Sequence, residues 1–148
     1  MTTRTGILLI THYGIGDALI EVAKSTFGEE LPLQTSVLSV GHKPRISDLV
    51  DEAQRDIRQL DFGRGVLILT DMFGSTPSNI SKGLVNSGHQ VAVVAGLNLP
   101  MLIRLMNYPD LPLNQMAEKA LSGGKDGVFY PYAPAITSRL SEEAVVVG

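Results

Sequence analysis

Short, unbroken apolar runs alternate along this chain with segments whose apolar residues recur every three or four positions. A run of β-type residues without polar alternation suits a strand buried on both faces, and the helical segments between the runs supply the covering layers. The alternation predicts βαβ units, and so an α/β fold: a doubly wound, mainly parallel sheet of four strands with helices on both faces. The strand candidates are Gly6 to Thr11 (GILLIT), Thr35 to Val40 (TSVLSV), Val66 to Thr70 (VLILT) and Gln90 to Ala95 (QVAVVA). Right-handed crossovers restrict the winding, and the order 2-1-3-4 is expected, which sets strand 1 beside strand 3.

Between the strands, Asp17 offers an N-cap to a helix whose apolar face is Leu19, Ile20, Ala23 and Phe27 and which Gly28 ends. Ile46, Leu49, Val50, Ala53, Ile57 and Leu60 form the clearest helical stripe. Thr76 reads as the hydroxyl cap of a third helix, with Pro77 at its first position and an end near Asn86. Met101 to Met106 reads as apolar core helix, and Leu113, Met116, Ala117, Ala120 and Leu121 form a last stripe that Gly123-Gly124 is expected to stop. Val128 to Tyr130 is a candidate for a short fifth strand, whereas Ser138 to Gly148 shows no assignable pattern. One domain is expected over residues 1–131, followed by a C-terminal extension, 132–148, of unknown structure.

With 148 residues, 44% of them apolar, the chain can bury one real core. Twelve basic against 15 acidic residues give a net charge of −3 with no Lys or Arg run, which argues against a nucleic-acid partner. The absence of cysteine excludes disulfides, thiolate catalysis and thiolate metal sites. No metal and no organic cofactor is expected. The first apolar run, Ile7 to Ile10, is too short for a signal-peptide core, and nothing approaches the roughly 20 residues that cross a bilayer. A cytoplasmic location is the expectation.

Two polar clusters stand just after strand candidates: Thr11-His12-Tyr13-Gly14 and Thr70-Asp71-Met72-Phe73-Gly74-Ser75-Thr76-Pro77. In the expected strand order they flank one crevice at the carboxyl ends of strands 1 and 3, where open α/β sheets bind ligands. An imidazole there is a good phosphoryl acceptor, because with an ordinary pKa near ~6.5 a histidine keeps a free ring lone pair at neutral pH. Asp71, by accepting the proton of one ring nitrogen, would fix the tautomer and leave the other nitrogen to attack. The oxygens of a transferred group need donors, and the backbone N–H groups of Gly74, Ser75 and Thr76, with the hydroxyls of Ser75 and Thr76, are the candidates. Thr11, Met72, Phe73, Asn79 and Asn98 could line the crevice, although Asn79 and Asn98 are equally read as turn or cap groups. His42 and His89 read as solvated turn residues. The first βα turn has neither Gly-x-Gly-x-x-Gly spacing nor a P-loop lysine, and no Arg precedes His12, which weakens a nucleotide-binding or phosphatase reading.

The stretches GILLITHYGIGDALI, GVLILTDMFGSTPSN and VAVVAGLNLPMLIRL resemble, in order and spacing, the IIA component of the mannose and fructose family of the bacterial phosphoenolpyruvate-dependent sugar phosphotransferase system. The resemblance spans residues 6 to 131. It implies that His12 is phosphorylated by the phosphocarrier protein HPr, that Asp71 orients the imidazole, and that the Thr76 hydroxyl contacts the phosphoryl group. It further implies onward transfer to a IIB protein, an indirect membrane link where IIC and IID components exist, and a homodimer that exchanges the fifth strand, here Val128 to Tyr130. Two departures are visible. Met72 stands where some mannose-type members carry threonine, and the chain ends at Gly148 without an Ala/Pro-rich linker to a IIB domain, so the expected onward acceptor is another protein or absent. Two alternatives share the same chemistry: a regulatory phospho-switch in an incomplete system, and a phosphoryl-donor subunit for dihydroxyacetone kinase.

Overall fold

A computed structural model describes residues 3–132. In chain order the elements are β1 (Gly6–His12), α1 (Ile15–Phe27), β2 (Thr35–Val40), α2 (Ile46–Leu60), β3 (Val66–Thr70), α3 (Thr76–Leu84), β4 (Val91–Ala95), α4 (Leu99–Met106) and α5 (Leu113–Asp126). The four strands form one parallel sheet in the expected order, β2-β1-β3-β4.

The unbroken apolar runs now have their cause. Ile7, Leu9, Leu67 and Leu69 point to the face covered by α1, α4 and α5, while Leu8, Ile10, Val66 and Ile68 point to the face covered by α2 and α3. Successive side chains of a strand alternate between faces, so a central strand covered on both must be apolar at every position. Val91 to Ala95 at the edge stays partly exposed throughout.

Several helix ends differ from the expectation. α1 begins after Gly14 (φ 86°), not at Asp17, because the left-handed glycine turns the chain directly out of β1. Asp17 then lies in the first helical turn, where a carboxylate is favoured by the helix dipole, and accepts the Ser39 hydroxyl at 3.1 Å. The α3 cap is Ser75, one residue earlier than expected, and α3 ends at Leu84 instead of Asn86. α5 runs through Gly123-Gly124 to Asp126. Those glycines are contact points: a Cβ at Gly123 would lie 2.7 Å from Arg104 Cβ, and one at Gly124 2.7 Å from Met101 Cε, so they let α5 press onto α4.

Val128 to Tyr130 is not a strand within the single chain. Among the described residues the segment finds no neighbouring strand to bond, and Val128, Phe129 and Tyr130 are exposed. Ser138 to Gly148 and nearly all of the expected C-terminal extension lie outside the described residues. No helix among the described residues is long and apolar enough to cross a membrane.

His42 is exposed as expected, but His89 is not a solvated turn residue. Its Nδ1 lies 2.7 Å from Asp61 Oδ2, and Asp61 Oδ1 accepts the Gly63 and Gly65 N–H groups at 2.8 and 3.0 Å. Burial pushes the Asp61 carboxyl up, but the His89 hydrogen bond, the two backbone donors and the His89 charge outweigh it and hold the group below its ordinary 3.8. A depressed carboxyl stabilises the fold above its unfolded value, and that contribution disappears as pH falls through the folded value. Asp61→Ala is therefore expected to cost about 2 kcal/mol at pH 7. The cost should shrink as pH drops below about 3.8, which thermal melts across pH 2–7 would read.

Candidate functional site

The crevice forms where the chain leaves β1 and β3. α1 departs toward one face of the sheet and α3 toward the other, so the loops after these neighbouring strands part and leave a gap between them. His12 ends β1, and Asp71 follows the last residue of β3.

Both residues meet in that gap. His12 Nδ1 lies 2.7 Å from Asp71 Oδ2, and the His12 backbone N–H donates to the same oxygen at 3.2 Å. A carboxylate oxygen only accepts, so the shared proton belongs to Nδ1 and the neutral ring carries its lone pair on Nε2. Asp71 is nearly enclosed, with a side chain 10% exposed, whereas the His12 side chain is 45% exposed. The pair is thus an anchored carboxylate holding a ring whose outer nitrogen faces an accessible surface. The other Asp71 oxygen, Oδ1, and the Thr70 hydroxyl are buried without a hydrogen-bond partner among the described residues.

The turn after Asp71 supplies fewer free donors than expected. Gly74 (φ 84°) gives its N–H to Ser78 Oγ at 3.1 Å, and the Ser75 hydroxyl donates to Met72 O at 2.6 Å. The Ser75 N–H leans on the same carbonyl at 3.4 Å. Thr76, at the first position of α3, has no side-chain hydrogen bond among the described residues and is the donor left available. Ser78 is the residue that sequence reasoning missed. It is buried, and it fastens the left-handed Gly74 to α3; a hydroxyl four positions after a turn glycine was the only signal.

Three other candidates are placed differently. Thr11 is fully buried and lines no crevice, because its hydroxyl bonds the His12 carbonyl and the Gly16 N–H. Asn98 is the N-cap of α4: Oδ1 accepts the Met101 N–H at 3.0 Å, and Nδ2 reaches Gly96 O and Gly124 O. Asn79 is exposed and lines, with Ile46, Val50, Thr76, Ile80 and Gly83, a groove of about 310 Å³ between α2 and α3. Met72 and Phe73 are exposed beside Asp71, and Tyr13 is exposed beside His12, so the site opens onto an apolar rim.

This geometry sits within residues 6–120, which match the family model described as PTS system fructose IIA component. The chain belongs to that family. As a member of the PTS fructose IIA family, it is 29% identical over 126 residues to the PTS system mannose-specific EIIAB component of Escherichia coli (strain K12). That alignment takes in 82% of this chain and only 38% of the longer relative. Against the PTS system fructose-specific EIIA component of Bacillus subtilis (strain 168), identity is 27% over 101 residues, 68% of each chain. In three dimensions it resembles the mannose/sorbose specific IIA subunit of the phosphotransferase system from Enterococcus faecalis, with a TM-score of 0.77 and 22% identity. The superposition covers 88% of this chain and 97% of that one. At that identity the likeness speaks for the α/β fold, and the PTS IIA family assignment rests on the family model.

Proposed function

We propose that this IIA-family protein is a phosphoryl carrier that takes a phosphoryl group from phospho-HPr onto His12 Nε2 and passes it to a IIB protein. The observation that carries this reading is the 2.7 Å contact between His12 Nδ1 and Asp71 Oδ2, which protonates the inner nitrogen and frees the outer one. The Nε2 lone pair attacks phosphorus as the bond to the donor breaks. Nδ1 keeps its proton, donated to Asp71 Oδ2, throughout, so the ring gains a substituent without having to release a proton. Return transfer is the same step reversed toward the acceptor. Thr76 supports the reading as the hydroxyl free to meet phosphoryl oxygens at the start of α3. The open rim of Tyr13, Met72 and Phe73 suits a protein donor, since exposed apolar side chains beside a site are the kind of surface that a protein partner covers. A link to a membrane would be indirect, through separate IIC and IID components.

The direct test is incubation with phosphoenolpyruvate, enzyme I and HPr. Acid-labile, base-stable label on the protein is expected, and its absence would refute the reading.

The same reading includes a homodimer in which residues 128–130 of each copy pair with the β4 edge of the other. Val128, Phe129 and Tyr130 are 77%, 71% and 68% exposed in the single chain, and β4 pairs only with β3 among the described residues. An exposed apolar segment and an open sheet edge are each a liability that pairing removes. Light scattering should give twice the 15.9 kDa chain mass, and Phe129→Asp should shift the population to monomer. A wild-type monomer at micromolar concentration would exclude the exchange.

A further inference from the structure

Thr11 is a fully buried threonine adjacent to the acceptor histidine, and its hydroxyl makes two bonds. It donates to the His12 carbonyl at 2.8 Å and accepts the Gly16 N–H at 3.0 Å. The cap position of α1 is Gly14, which has no side chain to offer, so the second N–H of the helix is satisfied from the preceding strand instead. Gly16 makes the approach feasible. A Cβ there would lie 2.8 Å from Val37 Cγ1 and 3.1 Å from Thr11 Oγ1.

We propose that Thr11 is a positioning residue for the His12 reaction, acting by fixing the peptide that follows the imidazole-bearing Cα. Thr11 and His12 are successive strand residues, so their side chains leave opposite faces and the hydroxyl acts only through the backbone. Two donors of His12, the backbone N–H and ring Nδ1, converge on the single oxygen Asp71 Oδ2. Convergence on one atom tolerates little rotation of the His12 backbone. With the His12 carbonyl tied to Thr11 and Thr11 tied to α1, the strand end cannot swing with the loop that follows. The inference rests on the reading of His12 as acceptor for its rate arm, while its geometric arm stands independently.

The experiment compares Thr11→Ser, Thr11→Ala and Thr11→Val with the wild type. Ser and Ala differ by the hydroxyl alone, and Val removes the hydroxyl at nearly constant volume. Single-turnover phosphorylation by phospho-HPr, thermal midpoint and the ¹⁵N imidazole shifts of His12 are read for each. Ala and Val should slow transfer about tenfold, the size expected for loss of one positioning hydrogen bond. Their His12 shifts should move toward a mixture of ring tautomers, and Ser should restore both within about threefold. If Val does not fold, the Ser and Ala pair decides alone. Wild-type rate and imidazole shifts in Ala would overturn the proposal. So would equal impairment of Ser and Ala, which would assign the effect to packing of the methyl group. If the wild type itself takes no phosphoryl group, the carrier reading fails, and the imidazole shifts still judge whether Thr11 sets the ring.

Discussion

His12→Ala should take up no phosphoryl label from phospho-HPr while melting within about 1 kcal/mol of the wild type. The loss is expected to be complete because the proposed attacking atom, Nε2, is deleted and His12 is the one histidine bonded to Asp71 among the described residues. His89 is bonded to Asp61 in the loops before β3 and β4, at the opposite end of the sheet from His12, and His42 stands exposed in the loop after β2. The fold should survive because the side chain is 45% exposed and contributes nothing to either core cluster. Alanine also keeps the backbone N–H that donates to Asp71 Oδ2 at 3.2 Å, so the carboxylate retains one of its two donors. Labelling that persists in the folded variant would move the acceptor elsewhere and undo the carrier reading.

The same variant separates the alternatives. A carrier in sugar uptake should discharge its label to a IIB protein, and the donor-subunit reading requires discharge to a dihydroxyacetone kinase. A regulatory module would instead hold a partner in one phosphorylation state, so capture of that partner should differ between the phosphorylated wild type and His12→Ala. Each outcome depends on the same nitrogen. The structure of the site is common to all three, and the acceptor discriminates among them.

Much of this architecture was legible in the sequence because strands covered on both faces leave an unambiguous mark. GILLIT and VLILT could be read as central strands, and their adjacency followed from crossover handedness, which brought His12 and Asp71 together across 59 positions. What escaped were choices made by local hydrogen bonds. The donors of Gly74 and Ser75 looked available for a ligand, yet the turn closes on itself through Ser78 and Met72. Thr11 is expected to line the crevice, but the strand's alternation sends it to the opposite face, under α1. Gly123-Gly124 looked like a helix stop because glycine is a common C-terminal signal, whereas here its missing side chain admits Arg104 and Met101 from α4. The last case shows that close approach between helices and termination of a helix leave the same residue in the sequence.

For Asp71→Ala the expected result is slower transfer, by roughly 10–100-fold, with the protein still phosphorylated at His12. Without the carboxylate, Nδ1 loses its 2.7 Å acceptor and the neutral ring divides between its two tautomers. In one of them Nε2 carries the proton and cannot attack. That redistribution alone accounts for a few-fold loss, and the larger part comes from a ring free to rotate away from the line of transfer. Asp71→Asn should lie between the two, since its amide oxygen can still accept from Nδ1 without the negative charge. Stability should not follow rate. Among the described residues Asp71 Oδ1 is buried without a donor, so removal of the carboxyl relieves one unsatisfied oxygen while the His12 N–H loses its acceptor; the two changes oppose each other, and the melting free energy should stay within about 1 kcal/mol. A rate unchanged in Asp71→Ala would remove Asp71 from the mechanism. A loss of rate that tracked an equal loss of stability would make it a residue of the fold instead of the reaction.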